Sequence, residues 1–129
     1  MREYQPKYKN PYYLRRGLYQ KTLALVRDYD GMRQDRINII HGTSAPDGMP
    51  KGNGTSDPTA DKTMRILALD NDIEAIEKAL NAIRPEYRQS VMALVLTGKV
   101  PVNAYAHRAT IWRWKSRFLY SVAKNKYWV

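Results

Sequence analysis

The sequence predicts an all-α protein: a long helical hairpin joined by a flexible linker and followed by a C-terminal helix-turn-helix-like module. Three observations carry that prediction. Apolar residues recur at three- and four-residue spacings in separate stretches, the period of an amphipathic helix. No segment alternates with a period of two over a useful length, so no sheet is expected. Asn10-Pro11, Asp57-Pro58 and Pro85 stand where helices should open, because the first helical position tolerates a fixed φ and a missing N–H. With 129 residues, 43% of them apolar, the chain is long enough for one domain around one modest core.

The N-terminal long helix, residues 1–41, should begin at Asn10-Pro11. Leu14, Leu18, Leu25, Val26, Tyr29 and Met32 follow at helical spacing. Gly31 weakens this helix without ending it, and Ile37, Ile39 and Ile40 carry it to His41. Residues 42–56 contain four glycines and two prolines, the composition of a flexible linker. Gly52-Asn-Gly54 ahead of Asp61-Lys62-Thr63 is not a phosphate loop. Asp61 sits where glycine is needed, and no strand leads in.

Residues 57–84 form a heptad helix. Ile66, Leu69, Ile73, Ile76, Leu80 and Ile83 alternate three- and four-residue steps, an a/d seam that packs on the first helix and can also pair with a second copy. Asp70, Asp72, Glu74, Glu77 and Lys78 read as its solvated face. Residues 85–129 make the third unit. A helix over Pro85–Thr97 turns Tyr87, Val91, Leu94 and Val95 inward and ends with Gly98 at C′. Asn103–Ala106 has room for at most one turn. A last helix runs from about Arg108 to Lys124, with His107 near its N-cap.

Charge narrows the function classes. Twenty-two Lys and Arg against twelve Asp and Glu give a net charge of +10. Residues 1–56 carry a net +5 and residues 57–86 a net −3. Residues 87–129 hold eight basic side chains and no acidic one, so this third attracts polyanions. No cysteine is present, which excludes a disulfide scaffold, Cys-ligated zinc and thiol catalysis. His41 and His107 lie too far apart in sequence to suggest a metal site. The longest aliphatic run, Val91–Leu96, cannot span a bilayer. Residues 1–10 lack a signal peptide's apolar region. The expectation is a soluble, basic protein of a reducing compartment with no membrane partner.

On a helical wheel, Ile111, Trp114, Phe118 and Val122 form an apolar stripe. Ala109, Trp112, Arg113 and Ser116 lie opposite, flanked by Thr110, Arg117 and Tyr120. A recognition helix needs this division, with one side anchored and the other offering cations and donors to a groove. Arginine can bridge guanine O6 and N7 or hold phosphate bidentately, and Thr or Ser hydroxyls serve either purpose. The DNA-binding candidates are Arg108, Thr110, Trp112, Arg113, Ser116 and Arg117.

The run His107-Arg-Ala-Thr-Ile-Trp-Arg-Trp-Lys-Ser-Arg-Phe-Leu-Tyr-Ser-Val-Ala-Lys124 resembles the C-terminal helix-turn-helix of small phage transcriptional regulators of the ArpU/RinA type. It is also similar to the sigma-factor region that reads the −35 promoter element. Motif-level likeness covers about the last 23 residues. The general layout upstream, including Ser56-Asp57-Pro58-Thr59 and the Ile83-Arg-Pro-Glu86 step, extends it more loosely. The resemblance implies that Thr110, Arg113 and Arg117 are recognition positions and that Ile111, Trp114 and Phe118 are packing positions. His107 stands where the family has a capping serine.

The expected function is therefore a prophage-encoded regulator that binds double-stranded DNA in the cytoplasm of a bacterial host. The resemblance alone directs it to late or packaging genes. No enzymatic activity, cofactor or metal is implied. Two competing classes are a small terminase-like packaging adaptor and a protein-interaction module. The latter would dock through Trp112 and Tyr120 on host RNA polymerase or a host defence protein.

Overall fold

The last helix of the chain is the centre of the fold. In a computed structural model, which describes residues 5, 7–42, 58–102, 104 and 106–129, five helices follow in order. They are α1 (Arg16–Arg27), α2 (Tyr29–Ile40), α3 (Pro58–Asn81), α4 (Pro85–Thr97) and α5 (Arg108–Asn125). The architecture is all-helical, with no strand among the described residues. Helix α5 packs against α1, α3 and α4. It contributes Ile111, Phe118, Leu119, Val122 and Ala123 to a core shared with Leu18, Leu23 and Val26 of α1, Ile73 and Ile76 of α3, and Val91, Leu94 and Val95 of α4.

The N-terminal helix is shorter than its sequence suggests, and it is broken. Asn10 does not cap a helix. Its side-chain Oδ1 accepts the Tyr12 N–H (3.0 Å) and its carbonyl accepts the Tyr13 N–H (3.2 Å), which makes a single turn. The chain then stays extended to Arg15 (φ −56°, ψ 152°). Gln5 clasps the backbone of Leu14, accepting its N–H at 3.1 Å and donating to its carbonyl. Residues 7–14 thus form an arm instead of the first turns of α1. Asp28 (φ −91°, ψ 5°) separates α1 from α2. Gly31 lies inside the first turn of α2, where a Cβ would meet the Asp28 carboxylate (2.9 Å to Oδ1) and make that side chain shift. The break lets α1 face α4 and α5 while α2 faces α3.

Helices α2 and α3 run antiparallel, as Tyr29–Glu77 and Arg36–Asp70 contacts show. The linker expected over 42–56, and the Asp57 cap, lie outside the described residues beyond Gly42. The heptad seam is realised in part. Ile73, Ile76 and Ile83 are buried, Ile66, Leu69 and Leu80 are half-buried, and Ala75 and Ala79 join the buried side.

The acidic face of α3 is not simply solvated. Asp70 pairs with Arg36 of α2, and this bond raises the guanidinium's pKa further. Asp72 pairs with Lys126, whose ammonium also reaches Asn71 Oδ1 (3.0 Å). The Tyr29 hydroxyl donates to Glu77 Oε2 at 2.6 Å. Burial first, then that bond and the carboxylate's charge, push the phenol up to about 12. Glu74 and Lys78 remain exposed as expected. Sequence spacing cannot reveal these pairings, because each partner comes from another element.

Helix α4 starts with Pro85 and ends at Gly98 in the left-handed region (φ 79°), as read from sequence. Arg88 ties it to the end of α3 and the turn that follows by donating to the carbonyls of Leu80 (3.1 Å), which also accepts the Ile83 N–H, Asn81 (3.0 Å) and Ile83 (2.9 Å). Helix α5 closes in a Schellman motif, with Trp128 N–H to the Ala123 carbonyl (2.9 Å) and Tyr127 N–H to Lys124 (2.9 Å). Tyr127, at φ 61°, occupies the position glycine usually takes.

Candidate nucleic-acid interface

Two changes of orientation on α5 define the candidate site. Trp114, read as a packing residue, is only half-buried, with its ring against Tyr87 (centroids 5.9 Å apart, planes at 37°). Lys115 is instead fully enclosed, its Nζ 4.4 Å from the Trp112 ring centroid and 5.6 Å from that of Tyr19. The buried stripe is therefore centred further round the helix than the aliphatic pattern indicates. Three packed helices bury a wider arc than one stripe, and the lysine stem is apolar enough to belong to it.

The turned helix leaves Ala109, Arg113, Arg117 and Lys124 toward solvent, at one-turn spacing for the first three. Arg108 is exposed at the helix start. His107 caps α5, its Nδ1 accepting the Ala109 N–H at 3.2 Å from extended backbone (ψ 150°). Imidazole does here the work of the expected serine. The Arg113 side chain lies back toward the N-terminal turn, its Nε donating to the Ala109 carbonyl at 3.4 Å. The Arg117 guanidinium sits over two rings, 5.1 Å from Trp114 and 5.9 Å from Tyr12.

The other candidates are placed less openly. Thr110, Trp112 and Ser116 are half-buried. Ser116 Oγ accepts from Asn10 Nδ2 at 3.4 Å, and Tyr120 meets Tyr12 edge-on with centroids 5.7 Å apart. The arm thus lies along one flank of the expected recognition face. Between arm and helix runs a groove of about 670 Å³ bounded by Tyr8, Lys9, Pro11, Tyr12, Trp112 and Arg113, among others. A smaller depression of about 300 Å³ shares Tyr12 and Arg113 with it and adds Thr110, Trp114 and Arg117. Arg108 and Trp112 border a third, of about 520 Å³, beside Gly98–Val102. The one-turn helix expected at Asn103–Ala106 falls partly on residues 103 and 105, outside the described residues. Ala104 N–H bonds to the Pro101 carbonyl (3.1 Å).

The wheel did not include the arm, although Tyr8, Tyr12 and Tyr13 interleaved with Lys7 and Lys9 were a legible signal of aromatic and cationic surface. Two other cations are structural. Arg88 closes α3, and Arg27 donates to the Val95 carbonyl at 2.9 Å. Chemically, the strip can hold a polyanion through forked guanidinium donors. Among the described residues, no cluster of His, Asp and Glu is placed to hold a metal, and no helix is long and apolar enough to cross a membrane. No protein-family model, curated protein or solved structure matches the chain.

Proposed function

We propose that this chain is a DNA-binding transcriptional regulator of the phage late-gene type that its last helix resembles, with double-stranded DNA as its partner. The observation that carries this reading is the line of Arg113, Arg117 and Lys124 on the open side of α5, with Arg108 at its start and no acidic residue after Glu86. Two carboxylates of α3, Asp70 and Asp72, are meanwhile paired with Arg36 and Lys126. Four open cations neutralising phosphates should give a log–log salt slope of about 3–4. Titrating promoter-region duplex at several salt concentrations tests this. No binding at low salt refutes the reading.

Homo-oligomerisation through the heptad helix belongs to the same proposal. Met64 and Leu67 of α3 are 68% and 62% exposed, at the end of the hairpin where Ile37 and Ile40 of α2 are also open. Apolar side chains of this size in solvent suit a contact with a second copy. Solution mass decides between functions as well. A monomer or dimer fits a regulator, whereas a ring of eight or more subunits fits a packaging adaptor.

A further inference from the structure

The groove between the arm and α5 is shaped and lined for something a duplex does not offer. Its walls bring together three aromatic rings, Tyr8, Tyr12 and Trp112, and two cations, Lys9 and Arg113, with no carboxylate among its lining residues. Tyr8 holds its ring 83% exposed, with the Lys9 ammonium 5.4 Å from its centroid. Lys9 takes a left-handed backbone conformation (φ 53°), a state that side chains other than glycine adopt at a cost. Tyr8 and Tyr12 nevertheless line one groove across that residue. At about 670 Å³ the groove matches the size of small-ligand clefts.

We propose that this groove seats unpaired nucleobases, so that the chain holds a single-stranded stretch of DNA beside its duplex contacts. The inference rests on the DNA-binding reading and deepens it. Paired bases keep their faces inside the stack, whereas an unpaired base presents a π-face that aromatic side chains hold regardless of sequence. Charge complementarity fixes the occupant's class. Bases enter against the rings while Lys9 and Arg113 meet the phosphates on either side. The smaller depression continues the track, since Arg113 and Tyr12 border both and Arg117 lies over Trp114 within it.

The test compares three probes at low salt by fluorescence anisotropy: a 12-nucleotide oligo-dT, an abasic deoxyribose-phosphate strand of equal length, and a 12-base-pair duplex. Base stacking should make oligo-dT bind roughly 5- to 100-fold tighter than the abasic strand. Tyr8→Ala, which removes a solvent-exposed ring and leaves the core untouched, should erase most of that gap while abasic and duplex binding stay as in the parent. Equal affinity for oligo-dT and the abasic strand, with duplex still bound, overturns the base seat and leaves the DNA-binding reading standing. Failure of all three probes to bind overturns both. A change of sedimentation mass in Tyr8→Ala without nucleic acid assigns the groove to a second copy of the chain and likewise overturns the proposal.

Discussion

Replacing Lys115 separates what its stem contributes from what its charge contributes. The side chain is 1% exposed, with Nζ held against the Trp112 and Tyr19 rings. Lys115→Ala deletes three buried methylenes, worth roughly 0.8 kcal/mol each, or about 2.4 kcal/mol in packing. It also removes a desolvated cation–π contact worth on the order of 2 kcal/mol. Against this, burying an ammonium costs several kcal/mol, and truncation relieves part of it. The net expected loss is about 2–4 kcal/mol. Lys115→Met keeps an unbranched stem of similar length and sheds the charge with all of the ammonium's contacts, so it recovers the packing share of that loss, about 2.4 kcal/mol, and should be clearly more stable than Lys115→Ala. Urea unfolding at pH 7, followed by circular dichroism, measures both. If methionine destabilises as much as alanine, the ammonium and its partners hold α5 and the packing argument is wrong. If alanine changes stability by under about 0.5 kcal/mol, Lys115 does not lie in the core.

Tyr127→Gly should stabilise the chain by about 1 kcal/mol in thermal melts. It relieves a left-handed backbone strain while losing a ring that is 92% exposed; an unchanged or lower melting temperature would contradict the Schellman assignment. Tyr29 keeps its proton in the folded state up to about pH 12, against 10 when unfolded. Its contribution is fully present below pH 10 and lost as pH rises through 12. Tyr29→Phe should therefore be the less stable protein at pH 8, through the lost Glu77 bond, with the gap closing between pH 10 and 12; a constant gap in urea titrations would show that the phenol titrates alike folded and unfolded, against both its burial and that bond. Arg113→Ala should cost roughly 1–3 kcal/mol on a cognate duplex and relax specificity at one base pair. Arg117→Ala should weaken cognate and random duplex alike, lower the salt slope by about one and cost the fold at most ~1 kcal/mol through lost ring contacts. Equal losses on both duplexes for Arg113→Ala would make it a phosphate clamp.

Local signals were legible, and contacts between distant segments were not. Pro85 and Gly98 bound α4 because proline and glycine act on their own backbone, whatever packs nearby. The start of α5 at about Arg108, with His107 near its N-cap, also agrees with the structure, although no proline or glycine marks it. Asn10-Pro11 carries an equally good start signal and yields only a turn, because Tyr12 finds Tyr120 and Asn10 finds Ser116 across the fold. The break at Asp28 depends on α1 and α2 facing different helices, which no window of adjacent residues contains. Within the candidate site, the exposure of Arg113 was readable from the wheel. The enclosure of Lys115 was not, since residue type argues for solvent and only the three surrounding helices argue otherwise.

The bond from Asn10 to Ser116 joins positions 106 residues apart, and the Tyr12–Tyr120 contact spans nearly the same stretch. During synthesis the arm leaves the ribosome well before α5 does. The arm has no seat until α5 has formed, and the core of α1, α3 and α4 has no centre before then. A nascent chain halted before Arg108 carries the cations and tyrosines of the arm but not the face that organises them. The groove beside the arm and the exposed arginine row of α5 therefore come into being together, in the step that seats α5 in the core. For the same reason, a bulky fusion placed directly ahead of the arm acts on the α5 face, although the two are at opposite ends of the sequence.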